Sequence, residues 1–299
     1  MKKFWKLLSF PLGFVKKGSL VAAVVILFSQ IIVSSNFSSL FVRGVDEAVY
    51  YSQLGSSIIY VPDNYTTIQE AVNAANIGDT IFVRSGIYSE NVTVNKTVSL
   101  IGEDASSTIL DGEGRSLLIL SIVESDVVAI NFTVKNTRSD RPAYGISIRD
   151  CENVSLKNVM ITESYIGVVL ENSSLCRLVD NAVVYNYAYG IYLRGGSSNN
   201  TFVRNSVSHN MIGVYIDSGC RDNLFYHNSF IENTNQIDVF AYNMWNLTQG
   251  NYWSNYNGSD TNGDGIGDTD VPMEGVDWRP LMSPYAPYPV AAFSYSPEN

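Results

Sequence analysis

Hydrophobic and polar positions alternate in a repeated pattern through the middle of the chain. Each unit begins with a glycine, and apolar residues occupy the first and third positions after it, which is the alternation of a β-strand. The glycines are Gly145, Gly167, Gly190 and Gly213, which lie 22, 23 and 23 residues apart. A fixed period in this range predicts a solenoid in which each unit stacks on the preceding one.

Polar residues separate the strands in three recurring series. The series are Asn131, Asn158, Asn181, Asn205 and Asn228; Asp126, Asn153, Cys176, Asn200 and Asn223; and Asn136, Asn186, Asn210 and Asn233. Asparagine tolerates the left-handed backbone of a sharp corner, and its amide can bond to the same amide one turn away. The pattern predicts an all-β fold, a right-handed single-stranded parallel β-helix with turns about 4.8 Å apart. A leucine-rich repeat would show a Leu-dominated consensus instead of the mixed Val, Ile and Phe found here.

The first 57 residues differ from the repeat region in composition. Lysines precede an apolar run, residues 20–33, which is short for a membrane span and typical of a secretory signal peptide. We interpret residues 1–35 as a signal peptide, with an uncleaved N-terminal membrane anchor as the alternative, and residues 36–57 as a linker. Both alternatives predict an extracytoplasmic protein that contacts a membrane only through this segment, whether it is secreted, at the cell surface or anchored.

A short amphipathic helix is predicted near the start of the solenoid, which we assign to residues 58–256. Thr66 or Thr67 begins the helix, and Gln69 or Glu70 three residues later completes a capping box. Apolar residues then follow at helical spacing. A helix at this point would cover the core that the open end of a solenoid otherwise exposes.

The net charge argues against one class of partner, and the cysteine content argues against two kinds of covalent or metal site. The formal net charge is -10, and 29 acidic residues face 14 basic ones once the five lysines of residues 1–35 are set aside. Such a surface repels phosphate backbones, so nucleic acid is not expected as a partner. Cys151, Cys176 and Cys220 are an odd number without tight spacing, which argues against a disulfide framework and against a zinc site.

Several stretches resemble known β-helix families. The series TIQEAV, GDTIFV, GIYSENVTV, KTVSLIGE and TILDG resembles the N-terminal coils of pectin-methylesterase-type and NosD-like β-helices, and the asparagine-rich coils resemble the carbohydrate-binding and sugar-hydrolase repeat. The stretch GNYWSNYNGSDTNGDGIGDTDVP, followed by DWRPLM, resembles the C-terminal end of NosD-like archaeal surface proteins. The resemblance covers residues 58–283. It implies a right-handed β-helix and an extracytoplasmic location but no single activity, because this architecture hosts enzymes, adhesins and shell proteins.

Oxygen-bearing side chains recur at every second position in the predicted C-terminal cap, residues 257–285. The candidate ligands are the side chains of Asp260, Asn262, Asp264 and Asp268 and the carbonyl of Ile266, with Asp270 or Asp277 as additional ligands. Calcium takes about six to eight oxygen ligands, and the first half of the loop matches an EF-hand. Val271 stands where the EF-hand glutamate belongs. We expect structural calcium that holds the cap against the last coil; the alternative is a solvated Asp/Gly turn.

Charge alternates four residues after each repeat glycine. The column reads Arg149, Glu171, Arg194 and Asp217, and stacking one turn apart predicts a ladder of ion pairs. The alternative makes Glu171 and Asp217, about 9.6 Å apart, the acid and base of an inverting glycosidase. The intervening arginine favours the ladder. The catalytic motifs of pectin methylesterases have no match here, so no catalytic residue is expected.

Aromatic residues give the best indication of a ligand. Tyr192 and Tyr215 occupy the same outward position in neighbouring units, where their faces would stack on sugar rings; the alternative is that the tyrosines stack on one another. His209 and His227 fall in different columns, which does not favour a copper site.

Three functions therefore stay open. The first is a non-enzymatic cell-surface β-helix that binds carbohydrate or a cell-envelope glycoprotein. The second is a polysaccharide-active lyase or hydrolase, and the third is a NosD-like copper accessory protein. Among the Asn-X-Ser/Thr sequons, Asn36, Asn64 and Asn257 are the best glycosylation candidates. The tail, residues 286–299, resembles the first strand of a PKD-type module.

Overall fold

The computed structural model describes residues 57–285, so the predicted signal peptide or anchor, nearly all of the linker and the tail lie outside the described residues. The described chain forms three parallel sheets; the first two strands pair in one sheet, and after them consecutive strands pass from one sheet to the next. This arrangement confirms the all-β parallel β-helix predicted from the repeat.

Each sheet runs the length of the solenoid. The first sheet contains β1 (Ile58–Val61), β2 (Thr80–Val83), β5 (Ser99–Gly102), β8 (Val128–Ile130), β11 (Ser155–Lys157), β14 (Arg177–Val179), β17 (Thr201–Val203) and β20 (Leu224–Tyr226). The second contains β3 (Gly86–Tyr88), β6 (Thr108–Asp111), β9 (Thr133–Lys135), β12 (Met160–Thr162), β15 (Ala182–Val184), β18 (Ser206–Ser208), β21 (Ser229–Ile231) and β23 (Tyr252–Trp253). The third contains β4 (Val92–Val94), β7 (Leu118–Ile122), β10 (Tyr144–Arg149), β13 (Ile166–Glu171), β16 (Tyr189–Arg194), β19 (Ile212–Ile216) and β22 (Asn235–Val239).

The repeat glycines line one edge of the third sheet, as the period predicts. A Cβ on Gly167 would lie 2.6 Å from the carbonyl oxygen of Gly190 and 2.9 Å from the side-chain nitrogen of Asn186. Gly190 meets Gly213 and Asn210 in the same way. Glycine is therefore required here by the close approach of the next turn and of a buried asparagine, not by an unusual φ angle.

Aromatic side chains fill the core at its C-terminal end. The rings of Phe202 and Phe225 stack with centroids 4.4 Å apart, and Phe225 stacks on Trp245 at 4.3 Å. Phe230 stacks on Trp253 at 4.5 Å. Both tryptophans are fully buried, so they close the last turn of the core and do not belong to a surface.

At each corner, two adjacent residue positions recur from turn to turn, and each position forms a column along the solenoid. The three series identified from the sequence mixed residues of these two columns. The left-handed column is exposed or half-buried and accepts many residue types; Asn158, Asp180 and Arg204 occupy it with φ of 50°, 57° and 57°. The buried column lies one residue later and contains Asn181 and Asn205. The series was therefore wrong in joining Asn131 and Asn158 to Asn181. The early asparagines occupy the left-handed position, where the exposed amide of Asn158 donates to Asn131 at 2.9 Å, whereas Asn181 occupies the buried position.

The buried asparagines form hydrogen-bonded ladders along the solenoid. In the ladder at the corner between the first and second sheets, Asn181 donates from its backbone and side chain to the side-chain oxygen of Asn205, at 3.0 Å each. Asn205 donates to Asn228 at 2.9 Å, and Asn228 donates to Asn251. Each amide also donates to a backbone carbonyl, as Asn205 does to Leu178 at 2.8 Å. Equivalent ladders run through Asn200, Asn223 and Asn243 and through Asn186, Asn210 and Asn233.

The predicted helix caps the N-terminal end. Helix α1 (Ile68–Ala74) begins after Thr67, whose capping box with Glu70 is complete, and it buries Ile68 and two further apolar residues against the core. The side chain of Gln69 donates to the carbonyl of Thr93 and accepts from its N–H, which pairs the open edge of β4. Within residues 57–285, no helix is long and apolar enough to span a membrane.

Replacing Asn205 by alanine is expected to lower the free energy of unfolding by about 3 kcal/mol, because the buried N–H of Asn181 and the carbonyl of Leu178 lose their partners. Urea unfolding followed by circular dichroism measures the change. Asn158→Gly is the matched control, since glycine adopts its left-handed φ freely and the one side-chain hydrogen bond that it loses, to Asn131, is exposed and replaced by water; its cost should stay within about 0.5 kcal/mol. Equal costs for the two variants would contradict the ladder's role.

Candidate functional site

Aromatic residues cluster on the outward face of the third sheet, near its C-terminal end. Tyr192 lies directly opposite Tyr215 in the pairing of β16 with β19, and Tyr189 lies at the edge of the same strand. Phe240 follows β22 and is 56% exposed. We call Tyr189, Tyr192, Tyr215 and Phe240 the tyrosine face. The period-two alternation places Tyr192, Tyr215 and Phe240 outward, while Leu193 and its equivalents enter the core. Tyr189, at the edge of its strand, joins the same face because its ring stacks on Tyr215.

The rings of the tyrosine face contact one another at several angles. Tyr192 and Tyr215 meet edge to face, with centroids 5.3 Å apart and planes at 82°. Tyr189 stacks on Tyr215 at 4.7 Å, and Phe240 tilts against Tyr215 at 5.6 Å. The predicted stacking of tyrosines along the solenoid is therefore present. The perpendicular pair also gives the face a stepped surface instead of a flat one.

Charged side chains border the tyrosine face. Glu171 is bound by Arg149 at 3.4 Å and by Arg194 at 2.7 Å, so the predicted ladder of ion pairs exists through these three residues. The guanidinium of Arg194 also lies 5.8 Å from the ring centroid of Tyr192. Asp217, the fourth residue of the column, instead accepts a hydrogen bond of 3.0 Å from the hydroxyl of Tyr192. Burial, followed by this bond, raises the pKa of Tyr192 to about 12, so the phenol stays a donor at neutral pH.

The same geometry bears on the glycosidase alternative. Glu171 is held between two guanidinium groups, and Arg194 lies in register with it on the strand that separates it from Asp217. An inverting pair needs a water and a sugar ring between two accessible carboxyl groups. Glu171 and Asp217 are instead engaged with Arg194 and Tyr192, which is the arrangement of a structural rung.

The predicted calcium loop, residues 260–268, is a tight turn held by its own side chains. The carboxylate of Asp260 accepts the N–H groups of Gly263 and Gly265, each at 2.7 Å, and Asp268 accepts the N–H of Thr261 at 2.8 Å. Gly265 has a φ of 83°, which the sixth position of an EF-hand loop requires. Ile266 is buried and bridges to the chain near residue 281.

The carboxylates of the loop do not converge on one point. Across residues 57–285, no three His, Cys, Asp or Glu side chains are placed to share a metal ion. The alternating oxygens of Asp260, Asn262, Asp264, the Ile266 carbonyl and Asp268 nevertheless occupy the first, third, fifth, seventh and ninth positions of an EF-hand-type loop. The donor set suits calcium in type and spacing.

Asp277, expected as an additional calcium ligand, has a different role. It is fully buried and accepts the backbone N–H of Asn251 at 2.7 Å and the indole N–H of Trp253 at 2.9 Å. Its carboxylate therefore ends the Asn181–Asn251 ladder, and Gly250 is required because a Cβ there would overlap it. Burial raises the pKa of Asp277, and these hydrogen bonds oppose the rise. Its ladder role could have been found from sequence, since Asp277 falls 26 residues after Asn251, close to one repeat.

The histidines and cysteines do not assemble into a soft-metal site. His209 pairs with Glu232 at 2.9 Å, whereas His227 stacks on Tyr285 at another corner, where burial lowers its pKa. All three cysteines are buried and free. Burial raises the thiol pKa of Cys151 and Cys176 to about 11 each, which disfavours the thiolate that copper binds.

Two of the three glycosylation candidates lie within the described residues. Asn64 and Asn257 are exposed, and Asn64 also accepts the N–H of Tyr60 at 2.7 Å. Asn36 lies outside the described residues. The sequons at Asn131, Asn153 and Asn199 are left-handed corner residues with φ of 61°, 56° and 57°.

Comparison with known proteins assigns the chain to a family. A family model described as "Periplasmic copper-binding protein (NosD)" matches residues 53–258, which is more than half of the chain. The chain belongs to the NosD family. Two curated relatives, the probable pectinesterase/pectinesterase inhibitors 41 and 6 of Arabidopsis thaliana, are each 28% identical, over 120 and 110 residues. These stretches cover 34% and 31% of the NosD-family chain, and they span only about a fifth of the relatives' length, 21% and 20%.

Solved structures match the chain at low identity. A pectin methylesterase from Yersinia enterocolitica has a TM-score of 0.45 at 12% identity and covers 63% of the NosD-family chain and 78% of its own. The pectate lyase Pel9A has a TM-score of 0.47 at 15% identity, with 67% and 74% covered.

Asp277→Asn is expected to lower the free energy of unfolding by about 2 kcal/mol, because an amide must turn its own N–H groups toward the donors of Asn251, Trp253 or Arg279. Thermal unfolding and tryptophan fluorescence measure the loss. Asp270→Asn changes an exposed carboxylate in the same cap and should cost less than about 0.5 kcal/mol. A stable Asp277→Asn protein with unchanged fluorescence would remove this residue from the end of the ladder.

Proposed function

We propose that this NosD-family protein is a non-enzymatic, extracytoplasmic β-helix that binds carbohydrate through the tyrosine face. The observation that carries the proposal is the in-register pair Tyr192 and Tyr215, extended by the half-exposed ring of Phe240. Aromatic faces supply large apolar contact at fixed angles, and the neighbouring Asp217 and Arg194 supply the polar groups that orient a sugar.

Two independent observations support the extracytoplasmic location in this proposal. The first is the N-terminal sequence, in which lysines precede a short apolar run typical of exported proteins. The second is the description of the family model, which names a periplasmic protein. The partner class is a polysaccharide or the glycan of a cell-envelope glycoprotein, in keeping with the pectinesterase names of the partial relatives.

A calcium ion in the loop 260–268 is the second part of the proposal. Asp260, Asn262, Asp264 and Asp268 would supply side-chain oxygens and Ile266 its carbonyl. Because Ile266 bridges to the chain at residue 281, an ion bound here would fasten the loop to the segment that carries Asp277. The role is structural, since the loop is at the end of the solenoid and the tyrosine face is on its side.

Two other functions are distinguished by direct measurements. Polysaccharide cleavage or demethylation would give reducing ends or methanol from a bound glycan, and we expect neither. A copper accessory function is favoured only by the family description, and it would require bound copper after dialysis of the protein against copper ions. Copper retained in stoichiometric amount would replace the carbohydrate proposal as the leading function.

Tyr215→Ala is expected to weaken glycan binding at least tenfold, because Tyr215 contacts every other ring of the tyrosine face. A glycan array followed by isothermal titration of the best ligand measures the affinity. Tyr65→Ala removes an exposed tyrosine near the N-terminal cap and should leave binding unchanged. Equal loss in both variants, or a folded protein that binds no glycan on the array, would refute the proposal.

Calcium is expected to raise the unfolding temperature, and a chelator to reverse the rise. Saturation at about a hundred times the dissociation constant corresponds to about 2.7 kcal/mol of stabilisation. Asp260→Asn combined with Asp264→Asn should abolish the calcium effect, because it removes two charged ligands from the loop. Asp126→Asn, at a corner distant in sequence, should keep it. An unfolding temperature that ignores calcium in the parent protein would show that the loop is a solvated turn.

A further inference from the structure

The third sheet carries more negative than positive charge near the tyrosine face. Among its seven strands, the only cationic residues are Arg149 in β10 and Arg194 in β16. Both guanidinium groups are bound to Glu171, at 3.4 Å and 2.7 Å, so they share one carboxylate and the three residues keep one positive charge. Asp217 and Asp238 add two negative charges beside the rings, so a ligand lying along the tyrosine face meets a net negative charge.

Two carboxylates on the same face have spare bonding capacity. Asp238 stands directly opposite Tyr215 in the pairing of β19 with β22, and within residues 57–285 it makes no side-chain hydrogen bond or salt bridge. Asp217 accepts a single hydrogen bond, from Tyr192. After burial, Asp217 and Asp238 both contribute to raising the pKa of Tyr215, which places both charges within electrostatic reach of that phenol.

The rings and the carboxylates together provide the two kinds of group that bind an organic cation. Tyr192 stands perpendicular to Tyr215, and Phe240 is tilted by 53° on its other side, so ring faces point in different directions around one spot. The negative face of an aromatic ring attracts an ammonium group, and a nearby carboxylate adds a charge-assisted hydrogen bond. An anionic polymer such as a polyuronate would instead be repelled by Asp217 and Asp238, and Arg194, the arginine beside them, is already bound to Glu171.

We infer that the tyrosine face selects a glycan bearing free amino groups, with an ammonium held between Asp217 and Asp238 and the sugar ring stacked on Tyr215 or Phe240. The inference rests on the proposed function and adds the charge of the ligand to it. It also separates this chain from its pectinesterase-named relatives, because pectin is a polymer of galacturonic acid and carries the opposite charge.

The test is titration of the full chain, at neutral pH, with three oligosaccharides of equal length. These are the hexamers of glucosamine, N-acetylglucosamine and galacturonic acid. The glucosamine hexamer should bind about tenfold more tightly than its N-acetylated counterpart, which is the effect of one hydrogen bond to a charged group. The galacturonic acid hexamer should bind most weakly. Raising the salt concentration should reduce the preference for glucosamine and leave the N-acetylated affinity nearly unchanged.

Substitutions distinguish recognition of the amino group by the tyrosine face from general attraction to the acidic surface of the protein. Asp238→Asn should bring the affinity ratio of the amino and N-acetylated hexamers close to one, while the N-acetylated hexamer keeps its affinity. Asp217→Asn should lower the same ratio, and because Asp217 also orients the sugar, it should weaken the binding of both hexamers. Asp222→Asn removes the same charge from an exposed corner outside the third sheet and should leave the ratio unchanged. A ratio that falls equally in all three variants would show general attraction to an acidic protein and would overturn the inference.

The remaining outcomes distinguish this inference from the proposed function. Equal affinity for the amino and N-acetylated hexamers, lost in Tyr215→Ala, would leave the carbohydrate-binding face standing and remove its charge preference. Tightest binding of the galacturonic acid hexamer would do the same. Binding of none of the three hexamers by the folded protein would overturn the inference, and with an empty glycan array it would overturn both.

Discussion

The chain of buried amide hydrogen bonds at the corners is the constraint on which the rest of this solenoid depends. An asparagine side chain has one acceptor and one donor group, and it can satisfy the turn before it and the turn after it together. Asn205 does so with Asn181 and Asn228, at distances of 2.9–3.0 Å, in a column without solvent access. A buried amide that misses a partner is costly, so each turn must lie directly over the next. The register of the tyrosine face and of the charged rung follows from this requirement.

A ladder of this kind needs an ending at both sides of the molecule. At the N-terminal side, α1 covers the apolar core, and Gln69 pairs with the free edge of β4. At the C-terminal side, each ladder ends on a different group. Asn233 donates to the side chain of Gln236, whereas Asn251 donates to the carboxylate of Asp277. In a ladder, the backbone N–H and one side-chain N–H of each asparagine donate toward the C-terminal side, so a negatively charged acceptor is well placed to receive the last of them.

Much of this architecture could be predicted from the sequence, because a solenoid repeats the same sequence pattern in each turn. The glycine period, the outward pairing of Tyr192 with Tyr215 and the Thr67 capping box are all local or periodic signals, and the structure contains each of them. The two corner columns could not be separated, because they are adjacent in sequence and both accept asparagine. Asparagines of both columns bond across turns, and only the backbone φ and the burial show that Asn158 is an exposed left-handed residue and Asn181 a buried one.

The candidate site was harder to predict than the fold, since its character depends on contacts between turns. Sequence periodicity placed Glu171, Arg194 and Asp217 in one column. It did not show that Glu171 takes both arginines while Asp217 turns to Tyr192. The importance of Asp238 was missed, because a single aspartate in an irregular last repeat has no periodic signature. Asp277 was missed as a ladder end although its spacing of 26 residues from Asn251 is close to one repeat, because it lies beyond the coils in a segment that was interpreted as a calcium-binding cap.

The uniformity of the ladders has a consequence for how long such a protein can be. From Asn181 to Asn228, every turn donates through the same groups to the turn that follows it and accepts through the same groups from the turn that precedes it. The ladder bonds between two turns therefore do not depend on where in the series the turns lie. Duplication or deletion of one whole unit in this stretch would leave both capped ends facing surfaces identical to those they meet now. The fold can therefore lengthen or shorten its lateral surface in steps of one coil while its terminal segments stay unchanged.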